Sequence, residues 1–415
     1  MTVSETSVRA PDNTPARWLS IIGIGEDGVQ GLSPVARRLI EGAELVVGGA
    51  RHLELAGSLV RGERLTWPTP IDAAYPQILA RRGHQVAVLA TGDPFHFGIG
   101  KQLAAIVPTD EFVCIPHVSA FALAAARMGW ALQDVATITL HGRAIESVVR
   151  HLQPGARILA LSWDGSTPQK LANLLAMRGL GASQLTVLEH MGGPLERVRC
   201  MQADGGVGEE IDALNTIALE IIAGPEGRTI ALAPGLDDSF YQHDGQLTKR
   251  EMRSIVLSSL APRRGELLWD IGLGSGSIAI EWLLRDTTMR AIGIEEREGR
   301  ASNAARNAAA LGTPDLQIVL GRAPDALNGL PEPDAIFIGG GLTDGVLDAA
   351  WSALKPGGRI VANAVTIESE QILLAAFQRL GGELLRIDIA RAEPVGSLHG
   401  WRAAMPVVHW RIVKS

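Results

Sequence analysis

The sequence predicts an α/β protein of two domains. Its 415 residues exceed the roughly 250–300 residues at which one hydrophobic core stops growing. From Trp18 onward, short apolar runs alternate with amphipathic helical segments, which is typical of parallel α/β architecture. A stretch rich in Pro, Gly and Asp at residues 224–245 interrupts this alternation and marks a boundary. We therefore expect a disordered arm at 1–17, a first domain at 18–225, a linker at 226–241 and a second domain at 242–415.

The apolar runs give the positions of the expected strands. In the first domain they are residues 19–24, 44–47, 85–90, 112–115, 158–161 and 216–222. In the second domain they are residues 267–271, 289–294, 316–320, 335–338 and 359–363. Amphipathic helices are expected at residues 34–41, 169–178 and 278–284. The two halves share no internal repeat, so we expect two different folds.

Composition excludes several classes of function. A net charge of −7 argues against a nucleic-acid partner, which normally requires a basic surface. Cys114 and Cys200 are too far apart for a disulfide framework or a zinc knuckle, which favours a reducing cytoplasm. No uncharged apolar run reaches the ~18 residues of a membrane span. The ten histidines lack metal-ligand spacing, so we expect no metal.

The strongest motif lies in the second domain. An apolar strand ends in Asp270, and the glycines Gly272, Gly274 and Gly276 then lead into a helix. Glycine lets the backbone approach a ligand and adopt positive φ, so this strand end predicts a nucleotide-type crevice. Glu295 ends the next strand, where a carboxylate can accept hydrogen bonds from both ribose hydroxyls.

Three interpretations of this motif compete. The first is a nicotinamide dinucleotide site, which is disfavoured because the glycine spacing misses the third glycine of the dinucleotide fingerprint. The second is a purely structural turn. The third is S-adenosylmethionine, because the stretch resembles the Rossmann-type (class I) methyltransferase family. That resemblance implies that Asp270 lies near the methionine amino end of the cofactor. The cofactor-binding residues that it implies are Thr248, Asp270, Gly272, Leu273, Gly274, Ser275, Gly276, Glu295 and Ala323.

The flanking segments narrow this resemblance. Residues 248–253, 321–327 and 334–340 resemble the decarboxylating precorrin methyltransferases, and the similarity spans about 242–414. Arg322 stands where that family commonly has an acid. The glycine turn at 338–341 replaces the Asn/Asp-Pro-Pro-aromatic motif of amino-directed nucleic-acid methyltransferases, which favours methylation of carbon.

The first domain opens with a second glycine motif. Gly23, Gly25 and Gly28 fit the dinucleotide fingerprint, although one such match is a weak signal. The second strand ends in Val47-Gly48-Gly49 without an acid that could bind ribose, which disfavours a nicotinamide cofactor.

Three further stretches, at residues 90–98, 115–120 and 140–143, resemble the tetrapyrrole (class III) methyltransferase family in its corrin C5-methylating branch. This similarity spans about residues 19–222 and implies an S-adenosylmethionine cleft between two α/β subdomains. Glu26 stands where the family often has proline. The cofactor-binding residues implied here are Gly23, Gly25, Gly92, Asp93, His96, Ser119 and Ala120.

The two resemblances in this order imply an enzyme of cobalamin biosynthesis. The first domain would methylate C5 of a precorrin, and the second would methylate C15 and release CO2. The family also implies a homo-oligomer. The carboxylates of such a substrate predict basic contacts, for which the candidates are His141, Arg143, Lys249, Arg250 and Arg253. For each of these five residues, an ordinary surface or structural role is the alternative interpretation. The sequence identifies no catalytic residue.

Two other functions stay open at the level of sequence. A bifunctional methyltransferase acting on RNA would bind RNA in a strongly salt-dependent manner, for which the acidic chain is poorly suited. A nucleotide-binding regulatory protein without turnover would use the same glycine loops to hold a ligand.

Overall fold

A computed structural model describes residues 17–208 and 210–415. The chain divides into two compact units. The first unit comprises the residues as far as Arg143 together with Pro154–Gly227, and the second comprises Ala144–Gln153 and Arg228–Ser415. All but the last residue of the predicted arm at 1–17 lie outside the described residues. Among the described helices, none has the length and apolar character needed to cross a membrane.

The first unit contains two five-stranded sheets. Its strands are β1 Leu19–Ile24, β2 Leu45–Gly48, β3 Glu63–Thr66, β4 Val86–Thr91, β5 Phe112–Ile115, β6 Ala136–Thr139, β7 Arg157–Leu161, β8 Gln184–Glu189, β9 Arg197–Gln202 and β10 Asn215–Glu220. Its α-helices are α1 Pro34–Glu41, α2 Ala50–Ala56, α3 Tyr75–Leu79, α4 Gly100–Ala104, α5 Ala120–Met128 and α6 Thr167–Met177. The first sheet has the order β3-β2-β4-β1-β5. All of its strand pairs are parallel, as the alternation of apolar runs and helices predicts.

The second sheet of this unit departs from the parallel prediction. Its order is β6-β7-β10-β8-β9, and only the pair β6–β7 is parallel. Strands β8 and β9 are joined by the short loop 190–196, and such a connection permits only antiparallel pairing. Sequence inspection misses β9 because its side chains are mostly exposed and include Arg197 and Arg199.

The second unit is built on one seven-stranded sheet. Its strands are β11 Leu267–Ile271, β12 Arg290–Glu295, β13 Gln317–Leu320, β14 Ala335–Ile338, β15 Arg359–Ala364, β16 Glu383–Ile387, β17 Ala390–Val395, β18 Leu398–Ala403 and β19 Val407–Val413. Its α-helices are α7 Arg250–Leu260, α8 Ser277–Leu283, α9 Glu298–Ala310, α10 Asp344–Ala353 and α11 Ile367–Leu380. The sheet order is β13-β12-β11-β14-β15-β19-β16, and β17 and β18 form a separate hairpin.

The order of this sheet determines where a ligand can bind. The five strands β11–β15 run parallel, whereas β19 pairs antiparallel with β15 and β16. The chain moves outward in one direction from β11 to β12 and β13, and in the other direction through β14 and β15. The crevice at the carboxyl ends of β11 and β14 is therefore the topological switch point, where ligands bind in open α/β sheets. Trp269, Trp410 and Ile336 lie in the core beneath it.

Most of the segment predicted as a linker is folded into the second unit. Glu281 on α8 is completely buried. Its carboxylate accepts hydrogen bonds from the Gly235 N–H (2.6 Å), the Leu236 N–H (3.1 Å) and the Tyr241 hydroxyl (3.1 Å). Residues 228–241 therefore belong to this fold instead of spanning open solvent, while the exact domain boundaries remain a prediction.

A short segment from the first half of the chain also belongs to the second unit. In residues 145–151, Val148 and Val149 are buried. The Arg150 guanidinium donates to the carbonyls of Leu283 (3.1 Å) and Gly312 (3.4 Å). The sequence does not predict that this segment belongs to the second unit, because its placement depends on long-range contacts with two turns of that unit.

Candidate functional site

A cavity of about 900 Å³ lies at the switch point of the second unit. Eight of the nine cofactor-binding residues predicted for this half line it: Thr248, Asp270, Gly272, Leu273, Gly274, Ser275, Glu295 and Ala323. The ninth, Gly276, is the N-cap of α8 and adopts φ +80°. Sequence reasoning missed Arg300, which also lines the cavity, as does Gly340 of the glycine turn at 338–341.

The glycine turn after β11 allows the backbone to approach the opposite strand end closely. Gly272 has φ +76°, and a Cβ at this position would lie 2.6 Å from the Gly340 backbone nitrogen. Any side chain here would force apart the carboxyl ends of β11 and β14. The glycine at this position therefore meets a steric requirement in addition to the need for a positive φ, which glycine adopts readily.

Asp270 provides a buried and only partly satisfied carboxylate. Its side chain is 1% exposed, and Oδ2 accepts a hydrogen bond from the Ala279 N–H at 3.0 Å. The other oxygen, Oδ1, has no hydrogen-bond partner among the described residues. Burial, which outweighs the Ala279 N–H and is reinforced by Glu295, raises the pKa of Asp270 to about 8. An unpaired buried carboxylate oxygen is costly, and a cationic ligand group in the cavity would remove that cost.

Glu295 holds the opposite side of the same turn. Its Oε2 accepts from the Gly274 N–H (2.8 Å) and its Oε1 from the Arg297 N–H (3.0 Å). Each carboxylate oxygen has a second lone pair, so both can still accept a hydroxyl hydrogen from a ligand. The side chain is thus fixed before any ligand arrives.

Asn307, on α9, supports the glycine turn from behind and was missed by sequence reasoning. Its amide nitrogen donates to the carbonyls of Ser275 and Gln242, both at 2.9 Å. Its Oδ1 accepts from the Gln242 N–H at 2.9 Å. One of two asparagines in an alanine-rich helix carries no sequence signal for this role.

The three predicted substrate contacts of the second unit have different environments. Lys249 lines a second, smaller cavity, and its Nζ lies 3.4 Å from Asp238. Arg250 is exposed and lines neither cavity. The prediction for Arg253 is wrong. Its side chain is fully buried, and its guanidinium donates to Glu281 (2.9 Å), to Asp238 (2.8 Å) and to backbone carbonyls. A charge so completely paired is structural.

The smaller cavity has a volume of about 280 Å³ and lies next to the larger one. The two cavities share the lining residues Leu247, Thr248, Phe337, Gly339, Val365 and Met405. The remaining walls of the smaller cavity are mostly apolar, with Asn363 and Arg391 among its polar members. Sequence reasoning identified neither residue, because Asn363 lies within a mostly apolar strand and Arg391 lies on an exposed hairpin.

In the first unit, three predicted glycines lie where the ends of β1, β4 and β5 meet. A Cβ on Gly23 would lie 1.9 Å from the Gly92 carbonyl oxygen and 2.5 Å from the His117 nitrogen. A Cβ on Gly25 would lie 2.8 Å from the His117 ring. Gly92 has φ +59°, and its carbonyl accepts from the His117 N–H at 3.0 Å. These contacts require glycine and bring the predicted loops together.

The other predicted cofactor residues of the first unit flank this junction. Asp93 Oδ1 accepts from the Phe95 N–H at 2.9 Å, and the His96 ring packs against Phe121 with centroids 4.5 Å apart. Ser119 caps α5 by accepting from the Ala122 N–H at 3.2 Å, and Ala120 is the first residue of that helix. Asp93 and Ser119 thus order the two turns after β4 and β5.

The two predicted substrate contacts of the first unit are both exposed. His141 follows β6, and its ring lies 5.7 Å from that of Trp163, measured between centroids. Trp163 follows β7 and is 54% exposed. The pair forms an aromatic surface that sequence reasoning did not identify.

The first unit also contains a charged cluster that sequence reasoning missed. Glu26, in the glycine loop, forms an ion pair with Arg51, and its Oε2 lies within hydrogen-bond distance of His190 Nδ1, at 3.0 Å. His190 follows β8 of the second sheet, and its Nε2 lies 3.5 Å from Asp212. Glu26 therefore links the two sheets of this unit, a role that the usual proline of the family cannot perform.

Two family models match the chain. The one described as "Tetrapyrrole (Corrin/Porphyrin) Methylases" matches residues 19–203, and the one described as "Precorrin methyltransferase domain" matches residues 239–414. Each family therefore corresponds to one half of the chain, in the order that the sequence motifs predict.

Curated relatives cover the chain both as a whole and in parts. A Precorrin-6Y C(5,15)-methyltransferase [decarboxylating] from Sinorhizobium sp is 54% identical over 398 residues, which cover 96% of each chain. A Cobalt-precorrin-7 C(5)-methyltransferase from Salmonella typhimurium is 32% identical over 43% of this chain and 88% of its own length. A Probable cobalt-precorrin-6B C(15)-methyltransferase (decarboxylating) from Saccharolobus solfataricus is 35% identical over 36% of this chain and 78% of its own length. The chain thus belongs to the family of the decarboxylating precorrin-6Y C5,15-methyltransferases.

Proposed function

We propose that this protein methylates a precorrin at C5 and C15 with S-adenosylmethionine and removes a ring acetate as CO2, in cobalamin biosynthesis. The first unit would methylate C5, and the second would methylate C15 and release CO2. The near full-length relative carries both activities in its name. Two shorter relatives carry one each, which supports a division between the halves.

The observation that carries this proposal is Oδ1 of Asp270, which has no hydrogen-bond partner within residues 17–208 and 210–415 and lies at the cavity of the second unit. S-adenosylmethionine has an ammonium group that a buried carboxylate oxygen can pair with. Glu295, at the end of the neighbouring strand, has lone pairs for the ribose hydroxyls. The residues present therefore fit the cofactor, whose sulfonium supplies the methyl group when it is bound.

In the first unit, the fit to S-adenosylmethionine depends on backbone groups. The glycines Gly23, Gly25 and Gly92 let the loops of the junction pack closely against one another, which leaves backbone groups as the contacts for a ligand. Ser119 caps α5, a nine-residue helix that begins at Ala120, and the free N–H groups of such a helix end favour polar and anionic ligand atoms. A carboxylate of the cofactor is such a group.

The chain's own contribution to methyl transfer is alignment. The reduced macrocycle offers nucleophilic carbon, so a Ser or Cys nucleophile is unnecessary. Holding two reactants in line can recover about 7–11 kcal/mol of the barrier. For decarboxylation, the conjugated imines of the macrocycle can accept the electron pair, and the enzyme must orient the acetate.

The direct test is incubation of the full chain with precorrin-6Y and methyl-labelled S-adenosylmethionine, followed by mass spectrometry. The expected product has gained two labelled methyl groups and lost one CO2. A product with one methyl group, or one that keeps the acetate, would contradict the proposed pair of activities. The cytoplasmic location and the homo-oligomeric state stay predictions.

A further inference from the structure

The smaller cavity of the second unit contains an asparagine whose orientation is set by buried neighbours. Asn363 is the penultimate residue of β15 and lies opposite His409 of β19 in the antiparallel register. Its Oδ1 is 2.7 Å from His409 Nδ1. On the other side of the ring, His409 Nε2 is 2.9 Å from the Ser259 hydroxyl of α7. The three side chains form one continuous hydrogen-bonded chain that ends at the cavity wall.

The protonation of this chain follows from simple constraints. His409 is 1% exposed, and burial, assisted by Arg411, lowers its pKa, so the ring is neutral near pH 7. An amide oxygen can only accept, which places the single ring hydrogen on Nδ1. Nε2 must then accept from the Ser259 hydroxyl. Since Oδ1 of Asn363 is engaged by the ring, its amide N–H groups are left for a ligand.

The cavity suits a side-chain arm better than a whole macrocycle. Its volume of about 280 Å³ is below the roughly 300–1,000 Å³ of pockets that enclose complete small ligands. The adjoining cavity of about 900 Å³ provides the room for the larger groups. An arm entering from the shared wall at Phe337 and Gly339 would meet mostly apolar side chains and the amide of Asn363.

The two cations at this cavity are already paired with carboxylates. Arg391 forms an ion pair with Glu251, and Lys249 lies 3.4 Å from Asp238. An entering carboxylate would thus find a neutral amide donor among apolar walls. Such surroundings hold an anion in place but leave its charge poorly stabilised, which favours a reaction that disperses the charge.

From these contacts we propose that Asn363 binds the acetate arm that is lost as CO2, and that His409 and Ser259 are positioning residues for its amide. This inference rests on the proposed function. The bond between the methylene carbon and the carboxylate carbon breaks, and its electron pair enters the conjugated imine system of the macrocycle. CO2 leaves, and the methylene carbon then takes a proton to become a methyl group. Ser259 lines neither cavity, so its hydroxyl does not attack the ligand.

The test compares partial reactions in the full chain. Asn363→Leu keeps the approximate volume and removes the donor, so CO2 release from precorrin-6Y should slow by about 10- to 100-fold, the worth of one hydrogen bond to a charged group. Methylation at C5 and the affinity for S-adenosylmethionine should stay at the wild-type values. Asn363→Asp should be slower still, because it faces the arm with a like charge. The exposed Asn328→Leu, outside both cavities, is the matched control.

Ser259→Ala tests the positioning role, since it removes one end of the hydrogen-bonded chain of side chains without changing the cavity lining. It should slow CO2 release less than Asn363→Leu does, with the thermal unfolding midpoint checked for both variants. Wild-type CO2 release in Asn363→Leu would overturn the acetate contact, as would an equal loss of cofactor affinity. Wild-type release in Ser259→Ala would overturn the positioning role. Absence of both methylations in the unmutated protein would instead overturn the proposed function.

Discussion

The two units bring glycine loops to strand ends in the same way but offer different groups to a ligand. In the second unit, Asp270 and Glu295 are buried carboxylates at adjacent strand ends, and one oxygen of Asp270 is unpaired among the described residues. In the first unit, Asp93 is partly exposed and bonded to its own turn. There, Gly23 and Gly92 bring the backbone itself to the junction.

Under the proposed function, this difference means that one cofactor is recognised by opposite means in the two units. A site that relies on buried charge is sensitive to the loss of a single carboxylate, since a buried charge pair contributes strongly once water is excluded. A site that relies on backbone approach is sensitive to added volume instead. The two sites should therefore fail separately, and under different substitutions.

The largest effect is expected for Asp270→Asn. Losing one partner of a buried charged pair costs about 2–5 kcal/mol, so the affinity of the second site should fall at least ~30-fold. Isothermal titration calorimetry should then report about one S-adenosylmethionine per chain instead of two. The exposed Asp348→Asn, remote from the cavity lining, serves as the control. Loss of both sites together would contradict their independence.

A smaller effect is expected for Gly23→Ala in the first unit. The added Cβ would lie 1.9 Å from the Gly92 carbonyl oxygen, and overpacking of this kind costs about 1–3 kcal/mol. Calorimetric unfolding should show a less stable protein, and methylation at C5 should fall while the second site binds normally. Gly205→Ala adds the same methyl group in open space and should change neither measurement. An unaltered C5 reaction in Gly23→Ala would refute the backbone junction.

The smallest expected effect is the number of protons released when the cofactor binds at the second site. The pKa of Asp270 near 8 means that this carboxyl is mostly protonated at pH 7, and an ammonium group bound to it favours the ionised form. Cofactor binding at the second site should therefore release close to one proton per chain at pH 7. Titrations in buffers of different ionisation enthalpy measure this number, and the release should be absent from the titration of Asp270→Asn, in which only the first site binds.

The same pKa fixes the sign of the stability change in the ligand-free protein. A carboxyl whose folded pKa is raised favours folding in its protonated form, so its contribution is fully present below about pH 4 and declines as pH rises toward 8. Asp270→Asn should flatten this decline. A ligand-free protein that gains stability from this group across that window would contradict the burial argument.

Much of the fold could be predicted because local patterns and tertiary structure agree. The runs that became β1, β5, β11 and β14 match the observed strands residue for residue. Strands β9, β17 and β18 were missed because their side chains are mostly exposed. An exposed edge strand or hairpin is stabilised by pairing, which leaves little periodicity to detect.

For the site, the sequence was informative where chemistry demands a residue type next to a turn. Gly272, Asp270 and Glu295 are adjacent to strand ends along the chain, so their place in the cavity lining could be predicted locally. Arg253 was misassigned because its partners, Glu281 and Asp238, lie elsewhere in the sequence. Sequence alone does not separate a buried ion pair from a solvated one.

The amino-acid sequence by itself determined the two α/β halves, their order and the glycine-marked strand ends, because these depend on periodicity and on residues close together in the chain. Tertiary structure alone decided which charges are buried and which side chains from distant elements meet. The contacts of Asn363 with His409 and of Glu26 with His190 join residues 46 and 164 positions apart. Pairings of that length arise from the packing of whole sheets and helices, which no local pattern encodes.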